Sequence, residues 1–315
     1  MRRVTTIAAL RQDLAAERRR GRTVALVPTL GALHAGHLAN VRIAAEAADV
    51  VVVSIFVNPT QFDRPDDLAA YPRTLDADEA ALRALGEHGP AYVFVPDADE
   101  MYPVAAATTV HVAGVTEVLE GASRRGHFDG VATVVTKLFN IVRPDVAVFG
   151  RKDFQQNLVI RRLVDDLDLP VRLVFSPTVR ETDGLARSSR NQRLGPDARA
   201  GAVALPRALR AAVLAAAADR DAGAAPDPSR VREAALATLR DVPGLDVDYL
   251  EVVDPDTLTP PDPAASLARG DAARGEDAGD TANASPSVPG PSRRLLVAVA
   301  AFLGDVRLID NVALG

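Results

Sequence analysis

Two histidines three residues apart, His34 and His37, sit in the stretch Pro28-Thr29-Leu30-Gly31-Ala32-Leu33-His34-Ala35-Gly36-His37. The Val24–Val27 run before it reads as a strand, and a helical pattern follows from Leu38. A glycine-bearing turn in that place sets backbone N–H groups and a helix N-terminus at a strand end, which is a ready anion site. Gly31 and Gly36 have the spacing of a phosphate loop, but His37 stands where that loop requires lysine followed by serine or threonine. Two imidazoles aimed at a triphosphate can instead donate hydrogen bonds and stabilise charge developing on a leaving group. Read as a metal site, the pair would lack a third ligand.

Three further stretches follow strand-like runs. Val146–Phe149 leads into Gly150-Arg151-Lys152-Asp153-Phe154-Gln155-Gln156. Of 36 basic residues only Lys137 and Lys152 are lysine, and a compact ammonium suits a site where charge must follow phosphate oxygens. Val171–Phe175 leads into a segment with a turn at Asp183-Gly184 and then Ser188-Ser189-Arg190, a phosphate clamp or a helix cap. Val50–Val57 leads into Asn58-Pro59-Thr60-Gln61-Phe62, whose amides suit a small hydroxylated substrate because they donate and accept together. The stretch Arg124-Arg125-Gly126-His127-Phe128-Asp129-Gly130 opens a helix carrying Lys137; it is a pocket wall or a structural element.

Short valine-rich runs alternating with helical patterns, such as Leu38 to Ala48 and Asp76 to Leu85, predict βαβ units. The fold class is therefore α/β, a parallel sheet with helices on both faces. Ile7, Leu10 and Leu14 behind Thr5 and Thr6 predict a capped helix at the start. After about Thr178 the texture changes to a smaller α+β domain: helices over Ala198 to Ala217 and Pro228 to Leu239, then strands at Val247–Val253 and Leu295–Val299. The domains are thus 1–178 and 179–315. Within the second, about 255–292 is rich in Pro, Gly, Ala, Asp and Ser and predicts a disordered loop.

Composition narrows the function. The 315 residues carry 36 basic and 42 acidic groups, a net charge of −6, which argues against a nucleic-acid-coating protein. With no cysteine, thiolate nucleophiles, Fe–S clusters and disulfides are excluded. The apolar run Leu295 to Leu303 is too short to span a bilayer, and no address segment is evident, so no membrane contact and a cytoplasmic place are expected.

Taken in order, these stretches resemble the pantoate–β-alanine ligase (pantothenate synthetase) family. The fragments that carry the resemblance are Pro28 to His37, Ser54 to Phe62, Tyr71-Pro72-Arg73-Thr74, Gly126-His127-Phe128, Phe149 to Gln156, Asp183 to Ala186, Ser188 to Asn191 and Arg307-Leu308-Ile309-Asp310-Asn311. The resemblance implies a Rossmann-like domain with a smaller C-terminal lid domain, usually in a homodimer. It also implies a reaction in which ATP and (R)-pantoate give pantoyl adenylate and pyrophosphate, and β-alanine then displaces AMP. It assigns ATP to Leu30 through His37, Gly150 through Asp153, Val179 and Arg187 through Arg190. His37, the family's proton donor, is catalytic with His34 and Lys152. Gln61 and Gln156 hold pantoate, Gln61 also facing β-alanine. Magnesium is expected with the nucleotide, with Asp76 or Asp78 as conceivable contacts.

This chain departs from the family pattern at Leu30 (usually Met), Arg151 (usually Glu), Arg187 (usually Met or Leu) and Arg125 (usually Pro). Two rival readings remain. A nucleotidylyltransferase acting on a phosphate ester would want basic residues in place of Gln61 and Gln156. A silent nucleotide-binding module would not need Lys152 with Ser188-Ser189-Arg190.

Overall fold

The computed structural model describes residues 1–103, 107–261 and 294–314. They form two compact units, Met1–Leu194 and Gly195–Gly315. This division falls later than the 178/179 boundary read from the sequence. The segment after residue 178 stays with the first unit because Arg190 and Arg193 pair with Asp67, at 2.9 and 3.2 Å. The Ser189 hydroxyl also meets that of Tyr71, at 3.3 Å.

The first unit is built on six parallel strands: β1 (Arg2–Val4), β2 (Val24–Thr29), β3 (Val50–Ile55), β4 (Tyr92–Phe94), β5 (Val146–Gly150) and β6 (Arg172–Ser176), in the order β1-β4-β3-β2-β5-β6. Connecting them are helices α1 (Ile7–Arg19), α2 (Ala35–Ala47), α3 (Pro65–Ala70), α4 (Leu75–Arg83), α5 (Ala98–Met101), α6 (Glu120–Ser123), α7 (His127–Val142) and α8 (Phe154–Asp166). Thr6 caps α1 as expected, its hydroxyl accepting from Ala9 N–H. All six residues of β3 are buried, as befits a strand covered on both faces. Val41 and Ala44 of α2 pack on Ala25, Val27, Val51, Val53 and Val148 to form much of the core.

From β2 the chain steps outward to β3 and β4, then returns to the other side of β2 as β5. That reversal is where an open α/β sheet binds ligands, at the carboxyl ends of its strands. The register shows the crevice opening. Pairing between β2 and β5 is confined to Ala25↔Val146 and Leu26↔Ala147. By contrast, β2 follows β3 to Thr29↔Ile55, and β5 follows β6 to Gly150↔Ser176. The last three residues of β2 and of β5 therefore diverge, and the turns they lead into flank the gap.

The second unit holds α9 (Pro196–Ala202), α10 (Ala204–Asp221) and α11 (Pro228–Ala237), with an antiparallel sheet of β7 (Leu245–Val253), β8 (Leu295–Leu303) and β9 (Val306–Leu314). The single helix expected over 198–217 breaks at Val203, because Pro206 has no N–H to offer the Ala202 carbonyl. Pro196–Asp221 contains an 18-residue stretch of mean hydropathy 1.4, apolar enough by length and composition to cross a membrane. Its Ala208, Leu209, Ala212 and Ala216 are nevertheless fully or almost fully buried, and α10 packs on α11. Most of the predicted loop at 255–292 lies outside the described residues. Its beginning corrects the expectation of disorder: the Asp254 carboxylate accepts from the N–H groups of Asp256 and Thr257, and Leu258 is buried.

Candidate active site

The turn after β2 is held from inside. Gly31 and Ala32 both have left-handed backbones, at φ 84° and 49°, a conformation that is costly for alanine. The N–H groups of Ala32 and Leu33 donate to the two carboxylate oxygens of Asp78 on α4, at 2.9 and 2.7 Å. Gly31 N–H donates to the Thr29 hydroxyl. The backbone donors expected to cradle an anion here are thus taken up within the protein.

What remains for a ligand is the pair of imidazoles. His34 is the N-cap of α2, its Nδ1 accepting from Gly36 N–H at 3.1 Å, and His37 Nδ1 accepts from His34 N–H at 3.3 Å. A ring nitrogen that accepts cannot carry the proton, so each neutral ring holds its proton on Nε2. The rings stack with centroids 4.0 Å apart. Burial, with the charge of Lys152 next, lowers the His34 pKa to about 4. Burial, then the neighbouring His34, lowers that of His37 to about 3. Near neutral pH both rings are uncharged Nε2–H donors.

The turn after β5 faces the same gap. Lys152 is mostly buried and lies 3.3 Å from Asp153. Burial alone would raise the Asp153 pKa, but the charge and hydrogen bond of Lys152, with the Arg190 charge, lower it. Gly150 anchors the turn through its carbonyl, which accepts from the Asn157 amide, while Arg151 is exposed. The segment after β6 folds back on itself: Arg187 N–H donates to Val179 carbonyl, and Glu181 N–H to that of Leu185, around Gly184 at φ 92°. Val179 reaches the neighbourhood of Gly36. The Arg187 guanidinium is paired with Glu181 at 2.9 Å. Ser188 caps the short 3-10 helix Ser189–Arg193, so its hydroxyl, like that of Ser189, already has a protein partner. Arg190 is held by Asp67, a residue the sequence reading did not single out; no local motif marks it.

Gln61 closes the 3-10 turn Pro59–Gln61 after β3 and is buried. Its Oε1 accepts from Asn58 Nδ2 at 3.2 Å, which leaves the Gln61 amide hydrogens for a ligand. Its carbonyl accepts from His127 Nδ1 at 2.7 Å, and Arg124 lies on the far nitrogen of that ring. Burial, then the Arg124 charge, lowers the His127 pKa to about 4. Tyr102 donates to Asn58 Oδ1, and Lys137 sits over the Tyr102 ring at 5.3 Å. Gln156 lies half-buried in the first turn of α8 with no hydrogen bond to its amide among the described residues. Its neighbour Gln155 is the locked one, bonded to the carbonyls of Val115 and Val118 and to Glu120 N–H.

Asp78 spends both oxygens on the turn and Asp76 is exposed on α4. Among the described residues no group of three or more His, Asp or Glu could hold a metal.

The model of a family described as pantoate-beta-alanine ligase matches residues 2–313. The pantothenate synthetase of Thioalkalivibrio sulfidiphilus is 49% identical over 315 residues, 99% of this chain and 97% of its own length. That of Moorella thermoacetica is 46% identical over 310 residues, covering 98% and 97%. Among solved structures, the pantothenate synthetase of Thermus thermophilus is similar with a TM-score of 0.81 at 42% identity, covering 99% of each chain. The pantoate-beta-alanine ligase of Francisella tularensis, complexed with beta-gamma ATP and beta-alanine, gives 0.73 at 28% identity, covering 99% and 97%.

Proposed function

We propose, from the premise that this chain belongs to the pantoate–β-alanine ligase family, that it condenses (R)-pantoate with β-alanine through a pantoyl-adenylate intermediate. The observation that carries this reading is the gap between β2 and β5, flanked by turns that carry two neutral imidazoles and a mostly buried lysine, with Arg190 near enough to lower the Asp153 pKa. Those groups suit a triphosphate, and the uncharged amide of Gln61 suits a hydroxy acid rather than a phosphate ester.

In the first step a pantoate carboxylate oxygen attacks the α-phosphorus, the bond to the β-phosphate oxygen breaks, and pyrophosphate leaves. The carboxylate is ionised at neutral pH and needs no base. It needs alignment and positive charge around the leaving group. Lys152 supplies a mobile ammonium, Arg190 a guanidinium, and His34 and His37 their Nε2–H donors. In the free protein burial lowers the His37 pKa to about 3, so the ring meets ATP as a neutral Nε2–H donor. Gln61 and Gln156 orient pantoate. In the second step the β-alanine amine attacks the acyl carbon, the carbon–oxygen bond to AMP breaks, and the amine proton passes to water.

Magnesium would supply charge neutralisation on the nucleotide phosphates, which bind it with few protein ligands. That fits a site whose described residues make no acidic cage. Leu30, Gly31, Ala32, Leu33, Ala35 and Gly36 shape the ATP side with Gly150, Arg151, Asp153, Val179, Arg187, Ser188 and Ser189. We assign the working form to a homodimer.

Labelled pyrophosphate should exchange into ATP when pantoate is present and β-alanine is absent. Exchange that strictly requires β-alanine would sink the stepwise reading.

A further inference from the structure

Asp78 is a buried carboxylate beside a site proposed to hold a triphosphate. It is 3% exposed, and its charge repels the ligand, so something else must account for it. Its two oxygens take the N–H groups of Ala32 and Leu33, 46 and 45 residues away in sequence. Oδ1 also takes the Thr74 hydroxyl at 3.2 Å. The residues it grips include both left-handed positions' shared peptide, and a side chain at Gly31 would meet its Oδ2 at 3.2 Å.

Packing holds one side of the turn, where a Cβ at Gly31 would meet the Ile55 side chain at 3.1 Å. Beside it opens a pocket of about 360 Å³ whose wall includes Leu30, Gly31, Phe56, Leu75 and Asp78 itself. A strained turn bordering open space keeps its shape when polar contacts over-determine it. The turn leads directly into His34, the cap of α2, and so into His37.

We propose that Asp78 is a positioning residue for adenylate formation: it braces the Gly31–Leu33 turn and thereby fixes where the two imidazole Nε2–H groups point. This rests on the proposed adenylation reading but names a residue and a route that reading does not require. Loss of the brace moves the donors relative to the α-phosphate, and a misplacement near 1 Å costs on the order of 10²-fold in rate. Attack of the amine on preformed adenylate depends on the acyl end, held from Gln61, and is little affected.

The test compares half-reactions in the full-length enzyme. Asp78→Asn keeps the shape but sets an NH2 against one backbone N–H. Single-turnover adenylation from ATP and pantoate should fall on the order of 10²-fold, while aminolysis of supplied pantoyl adenylate at saturation stays within about threefold by the same argument. Thr74→Val, at an exposed position, removes one support of the carboxylate and should give the same imbalance, on the order of tenfold. Parallel loss in both half-reactions, or none in either, overturns the proposal. If Asp78→Asn does not fold, Thr74→Val decides alone: an imbalance supports the brace and its absence overturns it. A parent enzyme without pyrophosphate exchange would instead sink the adenylation reading.

Discussion

The turns after β2 and β3 leave neighbouring parallel strands side by side, yet they are held by opposite means. The first is gripped by charge: the Asp78 carboxylate takes two backbone N–H groups directly, beside an open pocket. The second is gripped by contact. A Cβ at Gly130 of α7 would come within 2.4 Å of the Thr60 carbonyl oxygen and 2.6 Å of Gln61 N, so the helix backbone lies directly on the turn. The histidines mark the same contrast. His34 and His37 accept at Nδ1 and turn Nε2–H away from the backbone, whereas His127 turns Nδ1–H onto the Gln61 carbonyl. On the proposed reading, one residue type donates to ligands in one region and braces the backbone in the other, and the tautomer decides which.

The largest expected effect falls on Lys152, in the turn after β5 that flanks the same gap as the first turn. Lys152→Ala and Lys152→Arg should both lose adenylate formation, because removing one preorganised donor costs about 3–4 kcal/mol, on the order of 10²–10³ in rate. Arginine keeps the charge but brings a wider planar head into a place where the lysine side chain is 18% exposed. Arg151→Ala, on the exposed neighbour, should change little. Single-turnover rates with ATP and pantoate check this; a Lys152→Ala enzyme within about tenfold of the parent would remove Lys152 from the chemistry.

A smaller effect is expected where contact does the holding. Gly130→Ala must push the Thr60–Gln61 backbone aside, at a cost of about 1–3 kcal/mol for overpacking. The pantoate KM should rise roughly tenfold, the scale of about 1.4 kcal/mol of lost binding, while the KM for ATP holds. Equal rises in both would mean that the two turns are one mechanical unit.

How far these regions could be read in advance follows from the range of the forces. The strands β2, β3 and β5 announce themselves because burial on both faces demands apolar runs, and the motifs stand at their ends. The three-residue edge strand β1 has too few residues to show a period. In β9, the buried Asp310 interrupts the apolar alternation over Val306 to Leu314, and the strand is hidden. Within the site, residue type and spacing single out His34, His37, Lys152 and Gln61 as candidates. That the backbone N–H groups around Gly31 are already spent was not, because their acceptor, Asp78, lies more than forty residues along the chain. Distant partners of that kind leave no local spacing to read.

The smallest effect concerns pH, and its sign follows from the same tautomers. His34, His37 and His127 have folded pKa values of about 4, 3 and 4, all below the ordinary histidine value of 6.5. Between those values and 6.5 the unfolded chain binds protons that the folded protein refuses, so these groups make stability rise with pH. Their contribution is complete above pH 6.5 and shrinks as the pH falls toward 4. Activity should be less sensitive, since kcat/KM for ATP reports ionisations of the free enzyme, and both active-site imidazoles stay neutral through most of that interval. We therefore expect no acid limb from His34 or His37 between pH 5 and 7.5, a window set by their depressed values of about 4 and 3. Over the same interval denaturant midpoints should drift downward with acidity, and His37→Gln should flatten that drift. An acid limb centred near the ordinary histidine value of 6.5 that vanishes in His37→Gln would show the ring to be protonated in the working enzyme. It would return His37 to the part of proton donor, and the distinction between ligand-facing and backbone-facing histidines would no longer separate the two turns.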